Sequence, residues 1–207
     1  MVLEKTRVEF LGRMDYGLAL EAMRAFTAER GPDTPDELWV LEHAPVYTLG
    51  QGADPAFGPK IDNGIPVVRA ERGGEITYHG PGQVVLYTLV DLARRGLKVG
   101  QFVRLLERSV IDLLSENGIS SNTLPKAPGV YVSGAKIAAL GLRVSRGRTF
   151  HGLALNVDMD LAPFAAIDPC GYPGLAVTQC RDLGILDSQE ILGSRLAELL
   201  IGHLDHA

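Results

Sequence analysis

Apolar residues at Phe102, Val103, Leu106, Val110, Leu113 and Leu114 recur at helical spacing, which predicts a helix over 99–116. Asn117-Gly118 supplies its stop signal. A second helix is expected over 16–28, stopping near Gly31-Pro32. A third starts near Asp187, where Asp187 and Glu190 stand at capping-box spacing. Its buried face reads as Ile191, Leu192, Leu196, Leu199 and Leu200. Strand-like runs cover 2–10, 38–42, 65–70, 84–90, 130–132, 136–144 and 150–157. R-V-S-R-G-R between the last two reads as a hairpin tip with Gly147 at the turn, and 163–174 reads as a Pro-rich loop. Helices and strands follow no regular βαβ order. The expected class is therefore α+β, with mixed, largely antiparallel sheets flanked by helices. No repeat, low-complexity tract or linker divides residues 1–207, so one domain is expected.

Composition narrows the function classes. The net charge of −5 argues against general nucleic-acid binding. No apolar run approaches the roughly 20 residues of a membrane span, and the first residues do not resemble a signal peptide. Two cysteines make a disulfide framework unexpected, and with five scattered histidines they give no zinc spacing. A reduced, cytoplasmic setting without a resident metal is expected.

The chemistry-bearing residues concentrate in a few segments. R-G-G-E-I-T-Y-H-G-P-G-Q at 72–83 sets four glycines beside the donors Arg72, Thr77 and His79. Glycine at this density lets a backbone approach a ligand closely, and a plain turn does not need an Arg, a Thr and a His as well. Cys170, in D-P-C-G-Y-P-G, lies between Pro169 and Gly171. That local sequence leaves two readings, an open nucleophile or a small buried hydrophobe. Cys180, in V-T-Q-C-R-D, reads as structural.

An ordinary thiol is only about 3% thiolate at neutral pH, so a nucleophilic cysteine needs help. Lys136 is a lone cation entering an apolar strand. Lowering a thiol pKa from about 8.5 to about 7 takes about 2 kcal/mol. A lysine about 4 Å away offers about 4 kcal/mol at an effective dielectric of about 20, before desolvation. His79 and His151 are alternative activators, whereas His43, His203 and His206 carry no surrounding pattern.

Three segments together resemble the octanoyltransferase family of lipoate biosynthesis, the lipoyl(octanoyl) transferases. They are the 72–83 string, G-A-K-I-A-A-L-G-L-R-V at 134–144 with F-H-G-L-A-L-N-V at 150–157, and I-D-P-C-G-Y-P-G at 167–174. The resemblance implies a fold shared with the catalytic domains of biotin and lipoate protein ligases. It implies transfer of an octanoyl group from octanoyl-acyl carrier protein to a lysine on lipoyl domains of 2-oxoacid dehydrogenases or on glycine-cleavage H protein. Cys170 would form the acyl thioester and Lys136 would tune it. Substrate contacts would come from Arg72, Gly73, Gly74, Glu75, Ile76, Thr77, Tyr78 and His79, from Ala139, Leu140 and Gly141, and from Gly152, Leu153 and Ala154. No cofactor or ATP is implied, because the acyl group arrives activated.

Further expectations follow. A-A-L-G and G-L-A offer small walls for an acyl slot, where seven buried carbons are worth about 5–6 kcal/mol. Arg143, Arg146 and Arg148 form the favoured basic surface for an acidic carrier, ahead of Arg94, Arg95 and Lys98. Rival readings are an ATP-dependent lipoate–protein ligase, a lipoyl-protein amidotransferase and a non-catalytic acyl-protein binding module.

Overall fold

The computed structural model describes residues 5–53, 58–125, 127–168 and 174–207. Its elements in chain order are β1 (Arg7–Met14), α1 (Tyr16–Glu29), β2 (Glu37–His43), β3 (Val46–Leu49), β4 (Val67–Arg69), β5 (Ile76–His79) and β6 (Gln83–Leu89). There follow α2 (Leu92–Arg95), α3 (Val99–Glu116), β7 (Asn122–Leu124), β8 (Ala127–Val132), β9 (Ala135–Ser145), β10 (Arg148–Asn156) and α4 (Gln189–Asp205). A seven-stranded sheet runs β1-β2-β6-β10-β9-β8-β7, and a three-stranded sheet runs β4-β3-β5. Only the β1–β2 and β3–β4 pairings are parallel, so the expected mixed, largely antiparallel α+β arrangement is present.

The interior strand β6 has all seven residues buried because both of its faces are covered. Val84 and Leu86 turn toward α3 and α4, joining Phe102, Leu106, Leu192, Leu196 and Leu200. Val85 and Tyr87 turn the other way, onto Tyr16, Leu20 and Met23 of α1. Strand β2 alternates likewise, with Leu38 and Val40 on one face and Trp39 and Leu41 on the other. Each fully buried apolar side chain of this kind contributes about 1.5–3 kcal/mol. A smaller core of Tyr47, Leu49, Ile76, Tyr78 and Phe164 sits under the three-stranded sheet.

Several boundaries differ from the sequence reading. The first strand runs on to Met14, past a bulge between Phe10 and Gly12 that keeps the pairing with β2 going. Its expected start at 2–4 lies outside the described residues. The 65–70 run contracts to three residues, and β3 and β5 were not anticipated because four-residue strands between Pro and Gly leave almost no periodicity. A single helical turn, Ala162–Ala166, stands in the expected loop at 163–174. Helix α4 is capped by Ser188, whose Oγ accepts from the Ile191 N–H at 3.3 Å, rather than by Asp187. Ile191, expected on the buried face, is 56% exposed. The β9–β10 turn holds Arg146 and Gly147 at φ 51° and 78°, as a two-residue hairpin of this twist requires.

Near one end of the sheet, Asp36 accepts from the guanidinium groups of Arg30, Arg94 and Arg95, each at 2.7 Å, and from the Asp91 N–H at 2.8 Å. Burial alone would raise its pKa. The Asp91 N–H and the Arg95 and Arg30 guanidiniums outweigh that and hold it below the usual carboxylate range. Arg148 reaches the same hub, donating to Asp91 at 3.3 Å and to the Arg30 carbonyl at 2.8 Å. Arg94, Arg95 and Arg148 therefore brace the fold rather than forming open basic surface. Arg146 is the member of the hairpin cluster left exposed.

Candidate active site

The centre of the β9–β10 pair is built from small residues facing each other. Ala139 stands opposite Ala154, and Gly141 opposite Gly152. A β-carbon on Gly152 would collide with the Leu86 carbonyl oxygen, so only glycine fits between β10 and β6 there. The R-G-G turn then lies down on this surface, with the Gly73 N–H donating to the Leu142 carbonyl at 2.8 Å. A β-carbon on Gly141 would come within 3.0 Å of the Gly73 carbonyl oxygen. The result is a narrow slot between the glycine-rich segment and the sheet, leaving about 60 Å³ for the centres of water-sized atoms.

Most of the expected substrate segment lines this slot: Arg72, Gly74, Glu75, Ile76, Thr77 and His79, then Ala139, Leu140, Gly141, Gly152, Leu153 and Ala154. Two residues do not. Gly73 sits behind the wall on Leu142, and Tyr78 alternates away from it to pack on Tyr47 and Phe164. Arg72 is buried, and its guanidinium donates to the Thr48 carbonyl at 2.6 Å, to Thr48 Oγ1 and to the Gly73 carbonyl. It thereby ties the turn to β3 while facing the slot.

Lys136 lines the opposite end and is only 3% exposed. Its Nζ donates to the Pro128 carbonyl at 3.2 Å and lies 5.2 Å from the centre of the Tyr131 ring. Its backbone pairs with the segment after 173. The Lys136 N–H donates to the Ala176 carbonyl at 2.8 Å, and the Thr178 N–H donates to the Lys136 carbonyl at 3.0 Å. Cys170 lies outside the described residues. On its N-terminal side Asp168 pairs with Lys60 at 2.6 Å. Cys180 is fully buried, and burial pushes its thiol up to about 12, in keeping with a structural role.

Of the two candidate histidines, His79 is held by an amide rather than by an acid–base partner. His79 Nδ1 lies 2.7 Å from Gln83 Oε1, and Gln83 Nε2 donates to Asn156 Oδ1 at 2.9 Å. In that network Nδ1 carries the proton. Burial, reinforced by His43 and Arg72, holds His79 down to about 3. His151 is likewise held down to about 3, first by burial and then by Arg72. Both are neutral at ordinary pH.

Sequence reasoning missed Tyr16, Gln83, Tyr87, Asn156, Phe164 and Val177, all of which line the slot. It also passed over His43. This residue donates from Nδ1 to the Met14 carbonyl at 2.8 Å and takes the Tyr87 O–H on Nε2 at 2.6 Å. His43 is buried, 5.8 Å from the His79 ring and 5.2 Å from Tyr16. The spacing of these residues in the chain holds no trace of the cluster, because α1, β2, β5, β6 and β10 each bring one or two members. Among the described residues, no group of three His, Cys, Asp or Glu side chains is placed to hold a metal ion. No helix of the described residues is long and apolar enough to cross a membrane.

Comparison with known proteins agrees with this geometry. Residues 15–191 match the family model of the lipoyl protein ligase A/B catalytic domain. An octanoyltransferase of Azoarcus sp. is 57% identical over 94% of this chain and 86% of its own length. One from Dechloromonas aromatica is 54% identical over 96% of both chains. Among solved structures, a bipartite lipoate protein ligase from Thermoplasma acidophilum superposes with a TM-score of 0.74 at 15% identity, covering 99% of this chain and 85% of the other. The biotin protein ligase of Aquifex aeolicus with biotin and ATP gives 0.63 at 14% identity, over 96% and 70%. With more than half of its length matched by the family model and relatives above 50% identity along nearly all of it, this chain belongs to the lipoyl protein ligase A/B catalytic-domain family.

Proposed function

We propose that this chain transfers an octanoyl group from octanoyl-acyl carrier protein to the ε-amine of a lysine on lipoyl domains or glycine-cleavage H protein. The transfer runs through a thioester on Cys170 and is the first step of lipoate cofactor formation. The observation that carries this reading is Lys136, a buried amine at one end of a slot walled by Ala139, Ala154, Gly141 and Gly152. A lysine in such a place needs a task.

The backbone pairing of Lys136 with Ala176 and Thr178 supports bringing Cys170 to it, since that segment follows the cysteine by only a few residues. The Cys170 thiolate, stabilised by the Lys136 ammonium, adds to the carrier's thioester carbonyl. The tetrahedral intermediate expels the pantetheine sulfur, which takes the proton from Lys136. The neutral amine left behind accepts a proton from the acceptor lysine as that nitrogen attacks the Cys170 thioester. Departure of Cys170 restores the ion pair, and conversion of thioester to amide drives the second half. Neutral His79 and His151 are not needed for any proton in this cycle.

An ATP-dependent ligase shares the fold but has no use for a nucleophilic thiol beside Lys136. Transfer from octanoyl-carrier protein to an apo-lipoyl domain in the absence of ATP tests the reading. Activity requiring ATP and free octanoate would replace it with the ligase.

A further inference from the structure

Apolar and small residues dominate the slot, yet polar side chains line it too. Tyr16 and His151 both line it, at 3% and 1% exposure, and neither the Tyr16 hydroxyl nor His151 Nε2 has a hydrogen-bond partner among the described residues. Buried polar groups are rarely left unpaired, so two lining one slot, linked through the His43 and Tyr87 rings, point to a ligand atom. The neighbours do not supply one. Tyr87 gives its O–H to His43, and His79 gives Nδ1–H to Gln83.

His151 adds a second, independent sign. It holds φ at 62° inside β10, although Phe150 and Gly152 on either side keep regular pairing with β9 and the pairing with β6 starts at Gly152. Its N–H is given to the Met23 sulfur at 3.4 Å rather than to an oxygen. Strain kept in a covered strand signals a side chain aimed for a purpose.

Distance fits an acyl chain. The β9–β10 register sets Ala138 opposite Leu155 and Leu142 opposite His151, so Lys136 and His151 stand six residues apart along the pair, one of which is taken up by the bulge between Lys136 and Ala138. That is roughly 17 Å of strand. An extended acyl chain of about eight carbons is shorter than that and fits along it.

We infer that Tyr16 and His151 contribute a polar subsite to the slot, which binds a neutral oxygen at the ω-end of the acyl group. This inference rests on the acyl-transfer reading above. With an octanoyl chain the oxygen is a trapped water beyond the methyl group, held between phenol and imidazole. With an 8-hydroxyoctanoyl chain it is the substrate's own hydroxyl, which can give one hydrogen bond and take another. The chemical class accepted is therefore medium-chain acyl groups carrying a terminal hydroxyl, in addition to the plain chain.

The experiment compares kcat/KM for octanoyl, 8-hydroxyoctanoyl and 7-carboxyheptanoyl carrier thioesters in wild type, Tyr16→Phe and His151→Asn. The asparagine variant retains tolerance of positive φ. Wild type should use 8-hydroxyoctanoyl within about tenfold of octanoyl, where a dry apolar end would reject the unpaired hydroxyl by about 100-fold. Each substitution should lower the hydroxyoctanoyl-to-octanoyl ratio by about tenfold, a ratio that a general loss of folding or activity does not move. Rejection of the hydroxyl by wild type, a ratio unmoved by both substitutions, or preference for the terminal carboxylate would overturn the subsite. If wild type transfers no octanoyl group at all, the transfer reading fails instead. Calorimetric binding of free octanoate and 8-hydroxyoctanoate then decides the subsite by the same ratio.

Discussion

Gly129 lies directly against the side chain of Lys136. A β-carbon at that position would stand 3.0 Å from Lys136 Cε and 3.3 Å from Nζ, and 2.7 Å from the Ala138 carbonyl oxygen. Its φ of 144° also disfavours any L side chain. Gly129 therefore keeps the space in which the amine rests. Gly129→Ala should lower kcat for acyl transfer by about tenfold or more, with the larger part in kcat rather than KM, because the amine is displaced from the reacting atoms. Wild-type kcat in a folded Gly129→Ala protein would show that the position of Lys136 is not limiting.

The facing pair Ala139 and Ala154 sets the width of the slot midway between Lys136 and His151. Ala139→Leu and Ala154→Leu should each shift the preferred chain toward fewer carbons. The loss for octanoyl should correspond to about 0.8 kcal/mol per methylene excluded, or roughly fourfold each. A competition among butanoyl, hexanoyl and octanoyl thioesters reads this directly, and an unchanged order would contradict it.

Histidine burial predicts an acid-side loss of stability. His79 and His151 have folded-state values of about 3, below the unfolded value of about 6.5. The unfolded chain thus binds more protons between those limits. Their neutral burial is fully compatible with the fold above about pH 6.5, and stability falls as pH drops toward about 3. Each imidazole contributes a slope of up to about 1.4 kcal/mol per pH unit. Urea unfolding at about pH 7 and about pH 5 should show the decline, with a shallower one in His151→Asn. Equal stability at the two pH values would refute the assignment. The Asp36 hub does not account for such a decline, because its carboxylate titrates below the ordinary carboxylate range.

Removing that hub's charge should be costly. Asp36→Asn leaves three guanidinium groups facing a neutral amide, two of them almost wholly buried. A loss of about 3–5 kcal/mol in unfolding free energy is expected. A loss below about 1 kcal/mol would mean that the arginines find other acceptors.

The long helices and the covered strands were legible in the sequence because burial on one or both faces imprints a period. The span of α3 was anticipated residue for residue. The family, too, was legible, since the R-G-G-E-I-T-Y-H-G-P-G-Q string and the small residues around Lys136 mark positions where backbone meets backbone. What stayed hidden was assembled across the sheet. Tyr16, His43 and Tyr87 sit on separate elements with ordinary local patterns, so nothing in the chain singled them out. Gly129 carries no signal in the sequence, and its contact with Lys136 shows only in the folded chain. The basic clusters misled for a related reason, because charge in a sequence does not reveal that Asp36 and Asp91 draw Arg94, Arg95 and Arg148 inward.

The central claim is a covalent octanoyl group on Cys170, and intact-protein mass tests it most directly. Wild type and Cys170→Ser are mixed with octanoyl-acyl carrier protein without ATP. Wild type should gain the mass of one octanoyl group, removed by hydroxylamine or by an apo-lipoyl domain, and the serine variant should gain no such hydroxylamine-labile group. Cys180, buried with its thiol pushed up to about 12, should stay unmodified in both. A wild-type protein that remains unacylated, even under rapid quench and with intact donor, would contradict the thioester route.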